Sequence, residues 1–215
     1  EIPLRLVGSE MCIRDRRSHY KALPVVPKIY YKQNVLDNAK GADSVHIVIE
    51  NDGSFSLWYG EAKFYTDLEE AMRSAVSSVK DTISDDKLRK ENSLVTSMSD
   101  MEKLVLDKEL FNRINTMLSS DTSLDRIKPI LHIPILLLHE CQITAGFSQM
   151  TPAYCSQMKS FYQRKAHAFF ERLHQKCVDV NGYEKITFHL IPFPVPSKPR
   201  VVEKFYKKAK ALRED

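Results

Sequence analysis

The chain has 215 residues, 43% hydrophobic and 28% charged, with a formal net charge of +4. That balance fits a globular domain with a sizeable core and excludes a disordered or collagen-like chain. No apolar run approaches the ~20 residues that span a bilayer, and the weakly basic charge allows a polyanionic partner without requiring one.

The first residues stand apart. LVGSEMCIRDR (6–16) back-translates codon for codon into the tagmentation adaptor of short-read sequencing. Residues 1–16 are therefore expected to be a non-native, adaptor-derived segment, and 17–215 the domain proper without its N-terminal part. Cys12 then leaves the site argument. Cys141, Cys155 and Cys177 remain, odd in number and unevenly spaced. That pattern argues against a disulfide framework and for a reducing compartment, the cytoplasm.

Hydrophobic periodicity then changes several times along the chain. DSVHIVIE (43–50) puts Val45, Ile47 and Ile49 on one face and His46 and Val48 on the other, the period of a strand. NDGS (51–54) is hairpin-turn chemistry, and FSLWYGEAKFY (55–65) is the returning strand. Thr66 with Glu69 three residues on predicts a capping box. Behind it Leu68, Met72, Ala75, Val76, Val79 and Ile83 form a core-facing helical stripe. SDDKLRKEN (84–92) reads as a polar connection, followed by an amphipathic helix over about 100–118.

KPILHIPILLLHE (128–140) is apolar almost throughout, as a strand covered on both faces should be. Thr151-Pro152 predicts the cap and first turn of a long helix reaching about Lys176. EKITFHLIPFPVP (184–196) is a further strand, expected to end at its prolines. A basic amphipathic helix over 197–213 closes the chain. The class is α/β, a mixed sheet with helices packed on it.

One strand carries an anomaly. Period two places Glu61 and Lys63 on the same face of LWYGEAKFY, amid large apolar side chains. Buried charges cost several kcal/mol unless solvated, paired or metal-bound, so the pair marks either an exposed edge or a cleft. Counting outward from the Asp52-Gly53 turn brings Asp43 nearly opposite Glu61. Two carboxylates converging in this way suit Mg²⁺, which takes one or two protein carboxylates and keeps waters. Lys63 beside them is suited to orienting a water or stabilising phosphorane charge.

At these residues the chain resembles the PD-(D/E)xK nucleases, with Asp43, then Glu61-Ala62-Lys63, then a helix. The longer string GADSVHIVI…LWYGEAKFYTDLEEAMRSAVSSVKDTI, with HIPILLLHE and FHLIPFPVPSKPRVVEKFYKKAK, is similar to the nuclease subunit of the Hachiman anti-phage defence system over most of residues 40–212. The resemblance implies a restriction-endonuclease-like fold and a bacterial, Mg²⁺-dependent DNase, Mn²⁺ being the substitute ion. It also implies control by a superfamily 2 helicase partner, with no role for a membrane. It assigns catalysis to Asp43, Glu61 and Lys63, and the metal to Asp43 and Glu61. The alternative is a catalytically inactive nuclease-fold module that binds DNA or regulates a helicase.

Other groups invite weaker readings. Glu50 is a rival carboxylate, placed beside the turn. His132, His139 and Cys141 lie close in sequence but lack zinc-site spacing. His167 and His174, seven apart on one helix, are read as packing or solvated, and Cys155 and Cys177 have no evident base. On the last helix Lys204, Lys207, Lys208 and Lys210 are candidates for tracking a DNA backbone, against the plainer reading of a solvated face.

Overall fold

A computed structural model describes residues 23–26, 43–96 and 107–214. The expectation for residues 1–16 and the first part of the helix expected from about residue 100 lie outside the described residues.

The sheet follows chain order. Strand β1 (Leu23–Val26) pairs antiparallel with β2 (Ser44–Ile49), and β2 pairs antiparallel with β3 (Phe55–Phe64). β3 then runs parallel to β4 (Leu131–Glu140), and β4 parallel to β5 (Thr187–Val195). The five described strands thus form the expected mixed sheet.

The hairpin turn is closed by Gly53 N donating to Glu50 O at 3.0 Å and Glu50 N to Ser54 O at 2.9 Å. Gly53 sits at φ 77°, a left-handed conformation that a residue without Cβ adopts freely.

Helix α1 (Leu68–Thr82) lies on one face of the sheet. It buries the predicted stripe, Leu68, Met72, Ala75, Val76 and Val79, with Ile83 just beyond its end, against Val45, Ile47, Leu57 and Tyr59. Each large side chain so buried contributes about 1.5–3 kcal/mol. The long helix α6 (Pro152–Cys177), capped by Thr151 as expected, adds Phe169, Leu173 and Cys177 to the same core. The opposite face is covered in part by α7 (Lys198–Glu214), whose Val201, Val202 and Phe205 pack on Phe64, Leu136, Leu138 and Val195. β4 is therefore apolar on both sides for the reason its sequence suggested.

Three expectations change. The cap of α1 is Asp67, whose Oδ1 accepts from Glu70 N at 2.8 Å. Glu69 is drawn away from a capping box by two cations of α6, Lys165 and Arg172. The polar stretch 84–92 belongs to a helix, α2 (Asp85–Thr96), because Leu88 is fully buried in the core and Asn92 Oδ1 accepts from Tyr59 OH at 2.5 Å. Two inward anchors outweigh a polar composition.

The prolines of the last strand do not end it. β5 runs through Pro192 and Pro194 to Val195. Among the described strands it is the edge strand, and Val195 O accepts from Cys141 N at 3.0 Å, so odd-numbered backbone groups face the sheet. The even-numbered prolines direct their missing donors outward, where no ladder bond is lost.

Shorter elements complete the chain. Helix α3 (Lys108–Leu118) covers the later part of the stretch expected to be helical and starts there, at its own extended cap Asp107. Between it and β4 come α4 (Leu124–Ile127) and a 3-10 turn, Lys128–Ile130. One-turn α5 (Gln142–Ala145) interrupts the loop before α6. Among the described residues no helix is long and apolar enough to cross a membrane.

Candidate active site

The hairpin register sets the site. Ser44 is opposite Gly60, which leaves Asp43 facing the backbone at Glu61. Asp43 N donates to Gly60 O at 2.7 Å, and Asp43 Oδ2 accepts from Ala62 N at 2.8 Å. The aspartate is thus fixed to the strand segment that carries the other two candidate residues. Glu61 and Lys63 share the α1 face of β3, and Lys63 Nζ lies 2.5 Å from Glu61 Oε1. The structure therefore brings together all three residues that the sequence nominated.

The pair is not on a solvated edge. Glu61 is 6% exposed, and the Lys63 side chain only 12%. Burial, reinforced by the negative charge of Asp43, pushes the Glu61 carboxyl up to about 7, with the Lys63 ammonium and a hydrogen bond from Ser78 pulling the other way. One ammonium does not compensate two carboxylates at low dielectric. A divalent cation would do so, and Mg²⁺ is commonly held by one or two protein carboxylates. By donor chemistry the residues fit such an ion, with Asp43 and Glu61 as the holders.

Ser78 went unremarked in the sequence. It lies on α1 one turn after Ser74, and Ser74 Oγ accepts from Tyr65 OH at 3.0 Å. The two serines, spaced i and i+4 beside Ala71 and Ala75, form a polar line on an otherwise apolar helix face. They meet Glu61 and Tyr65, which lie on one face of the same strand and its extension. An i, i+4 serine pair next to a core stripe was the available signal.

The remaining candidates disperse. Glu50 accepts from Ser56 Oγ at 2.5 Å by the turn, and Ser56 Oγ accepts from Trp58 Nε1 at 2.8 Å. His132 belongs to the other sheet face, where it stacks on Trp58 with centroids 4.8 Å apart. It also shares a 2.9 Å hydrogen bond with His189, and burial lowers its pKa. His139 is on the Lys63 face, its Nδ1 2.7 Å from Glu140 O and its Nε2 2.7 Å from Tyr162 OH, and burial likewise lowers its pKa. His132, His139 and Cys141 hence do not converge. Among the described residues no group of three or more histidines, cysteines and carboxylates is placed to hold a metal ion.

Cys141 and Cys177 are buried and Cys155 is exposed, and burial pushes the Cys177 thiol up. His167 is 3.3 Å from Glu171, while His174 is hydrogen-bonded to Tyr183 OH. Lys204, Lys207, Lys208 and Lys210 are exposed on α7, which packs on the sheet face opposite Glu61 and Lys63. Lys207 is 2.7 Å from Glu203. Lys198, at the head of α7, donates to Phe64 O at 3.0 Å.

Comparison with known proteins identifies a family. The family model described as HamA covers residues 16–209. No curated protein and no solved structure matches the chain.

Proposed function

The chain belongs to the HamA family, a component of Hachiman anti-phage defence, and from that premise we propose that it is the system's metal-dependent deoxyribonuclease. The observation that carries this reading is the enclosed group formed by Asp43, Glu61 and Lys63, two acids and one ammonium at the start of one strand and the end of its neighbour. Its spacing is that of the PD-(D/E)xK nucleases. Helicase control and a cytoplasmic setting come with the family and are part of the proposal.

The chain's own residues divide the work. Asp43, held by Ala62 N, and Glu61, held by Ser78, are the residues that would hold a Mg²⁺ ion. The chemistry such an ion would supply is polarisation of the scissile phosphate and a lowered pKa for a water nucleophile. Lys63 exchanges its contact with Glu61 for the phosphate oxygen or the attacking water, supplying positive charge where negative charge develops. Enclosure by β3, β4 and α1 keeps the dielectric low and these interactions strong.

The test is plasmid degradation in Mg²⁺ and in EDTA, with the helicase partner present and absent, by wild type, Glu61→Ala and Lys63→Ala. Metal-dependent cutting lost in both variants supports the reading. Cutting that survives both moves the chemistry elsewhere. No cutting under any condition favours a nuclease-fold module that only regulates its partner or binds DNA.

A further inference from the structure

The seam between α1 and α6 carries a charge imbalance that packing alone does not explain. At one end Glu69 of α1 takes two cations of α6, Lys165 Nζ at 2.7 Å and Arg172 Nη1 at 2.6 Å. At the other end Lys80 of α1 grips Asp179, just past α6, at 2.7 Å. Between these two clamps lies a concavity of about 330 Å³ lined by Arg73, Val76 and Ser77 of α1 and Arg172, Gln175 and Lys176 of α6.

The lining holds three cations and no carboxylate. The two acids that close the ends of the seam are already engaged. Glu69 is shared by two cations, which hold its carboxyl below the usual range, and Asp179 is taken by Lys80. Among the described residues neither Arg73 nor Lys176 forms a salt bridge. Helices packed for stability alone place opposite charges across a seam, whereas like charges there repel. Two guanidinium forks, an ammonium, a hydroxyl and an amide around a buried valine make a site rich in donors. That is the chemistry that receives phosphate oxygens.

We propose that this groove docks the backbone phosphates of a nucleic acid. The choice of nucleic acid over a free phosphate ester rests on the nuclease reading, and its position accords with that reading. α1 turns Ser78 inward to Glu61, while the preceding residue, Ser77, lines the groove. A strand anchored there is held about one helix diameter, ~10 Å, from the acidic pair. The exposed lysines of α7, the helix on the reverse face of the sheet, serve as the comparison.

The experiment measures binding without chemistry. Anisotropy of a fluorescein-labelled duplex and of its single strand is recorded in EDTA across a salt series. The proteins are wild type, Arg73→Gln/Lys176→Gln, Arg73→Lys/Lys176→Arg, and the α7 variant Lys204→Gln/Lys207→Gln/Lys208→Gln. The groove neutralisation is expected to weaken binding roughly tenfold and to lower the salt slope by about 1.8, two phosphates' worth. The charge-conserving pair and the α7 variant retain binding. Arg73 and Lys176 are exposed, so a melting curve matching wild type accompanies the loss.

Unchanged affinity and slope in the neutralised variant overturn the proposal, as does loss of binding in the α7 variant alone. A parallel thermal-shift arm uses inorganic phosphate and ATP. Stabilisation of wild type but not of the neutralised variant, with DNA affinity unaltered, assigns the groove to a free phosphate ester instead. Because every arm is read in EDTA, the proposal stands or falls separately from the cleavage test on Glu61 and Lys63.

Discussion

Asp43 Oδ2 accepts a 2.8 Å hydrogen bond from the backbone amide of Ala62, the residue between Glu61 and Lys63. One aspartate oxygen thus has a structural duty, which separates geometry from charge at this position. Asp43→Asn keeps an acceptor for the amide while removing the negative charge, and Asp43→Ala removes both. The asparagine variant should melt close to wild type yet lose metal-dependent cutting by about 100-fold or more. The alanine variant should lose ~1 kcal/mol of stability besides. Equal melting losses in the two would show that the amide bond carries nothing.

Glu61 predicts a pH signature in the absence of metal. Its carboxyl is pushed up to about 7 from an ordinary 4.5, by burial first and by Asp43 second. The folded protein therefore holds this proton more tightly than the unfolded chain does. The resulting stability is full below the unfolded value and is lost as pH rises through about 7, a loss of order 3 kcal/mol. Melting in EDTA should fall between about pH 5 and 8, the slope should flatten in Glu61→Gln, and Mg²⁺ should raise the melting point most at the alkaline end. A Glu61→Gln variant with an undiminished slope would place the titrating group elsewhere.

Tyr59 OH to Asn92 Oδ1 joins the hairpin to α2. Tyr59 is fully buried and Asn92 is 3% exposed. Replacing Tyr59 by Phe removes the donor while keeping the ring, and should cost about 1–2 kcal/mol by urea denaturation. DNA binding in EDTA should be unaltered, because neither residue lines the groove between α1 and α6.

Gly182 sits at φ 68°, and a Cβ there would meet Lys128 Cδ at 3.3 Å. Lys128 is 1% exposed, its ammonium held by Asp85 Oδ1 at 2.9 Å and Asn181 O at 2.5 Å. Gly53 has φ 77° and open space around it. Gly53→Ala should therefore cost only the left-handed penalty, about 1 kcal/mol, and Gly182→Ala more than that. Thermal melts of the two variants side by side decide the order.

The hairpin, the α1 stripe and the α6 cap were legible because each follows from local spacing. The Glu61–Lys63 pair was legible too, since charges at period two inside an apolar strand have few explanations. Residues 84–92 misled because the burial of Leu88 and Asn92 depends on where Tyr59 and the core lie, a tertiary fact with little local trace. Glu69 misled similarly, its capping role displaced by cations about 100 positions away. The groove could not be read at all. It arises only when Arg73 and Lys176, unremarkable on their own helices, are set side by side.

The prolines of β5 have one more effect. An open sheet edge offers backbone donors and acceptors on which another chain can add a strand, the usual route to edge-to-edge aggregation. Along the second half of β5 the outward donors are missing at Pro192 and Pro194, which leaves only carbonyl acceptors there and denies an arriving strand a complete ladder. A protein that engages this side of the molecule must read side chains and shape instead of extending the sheet.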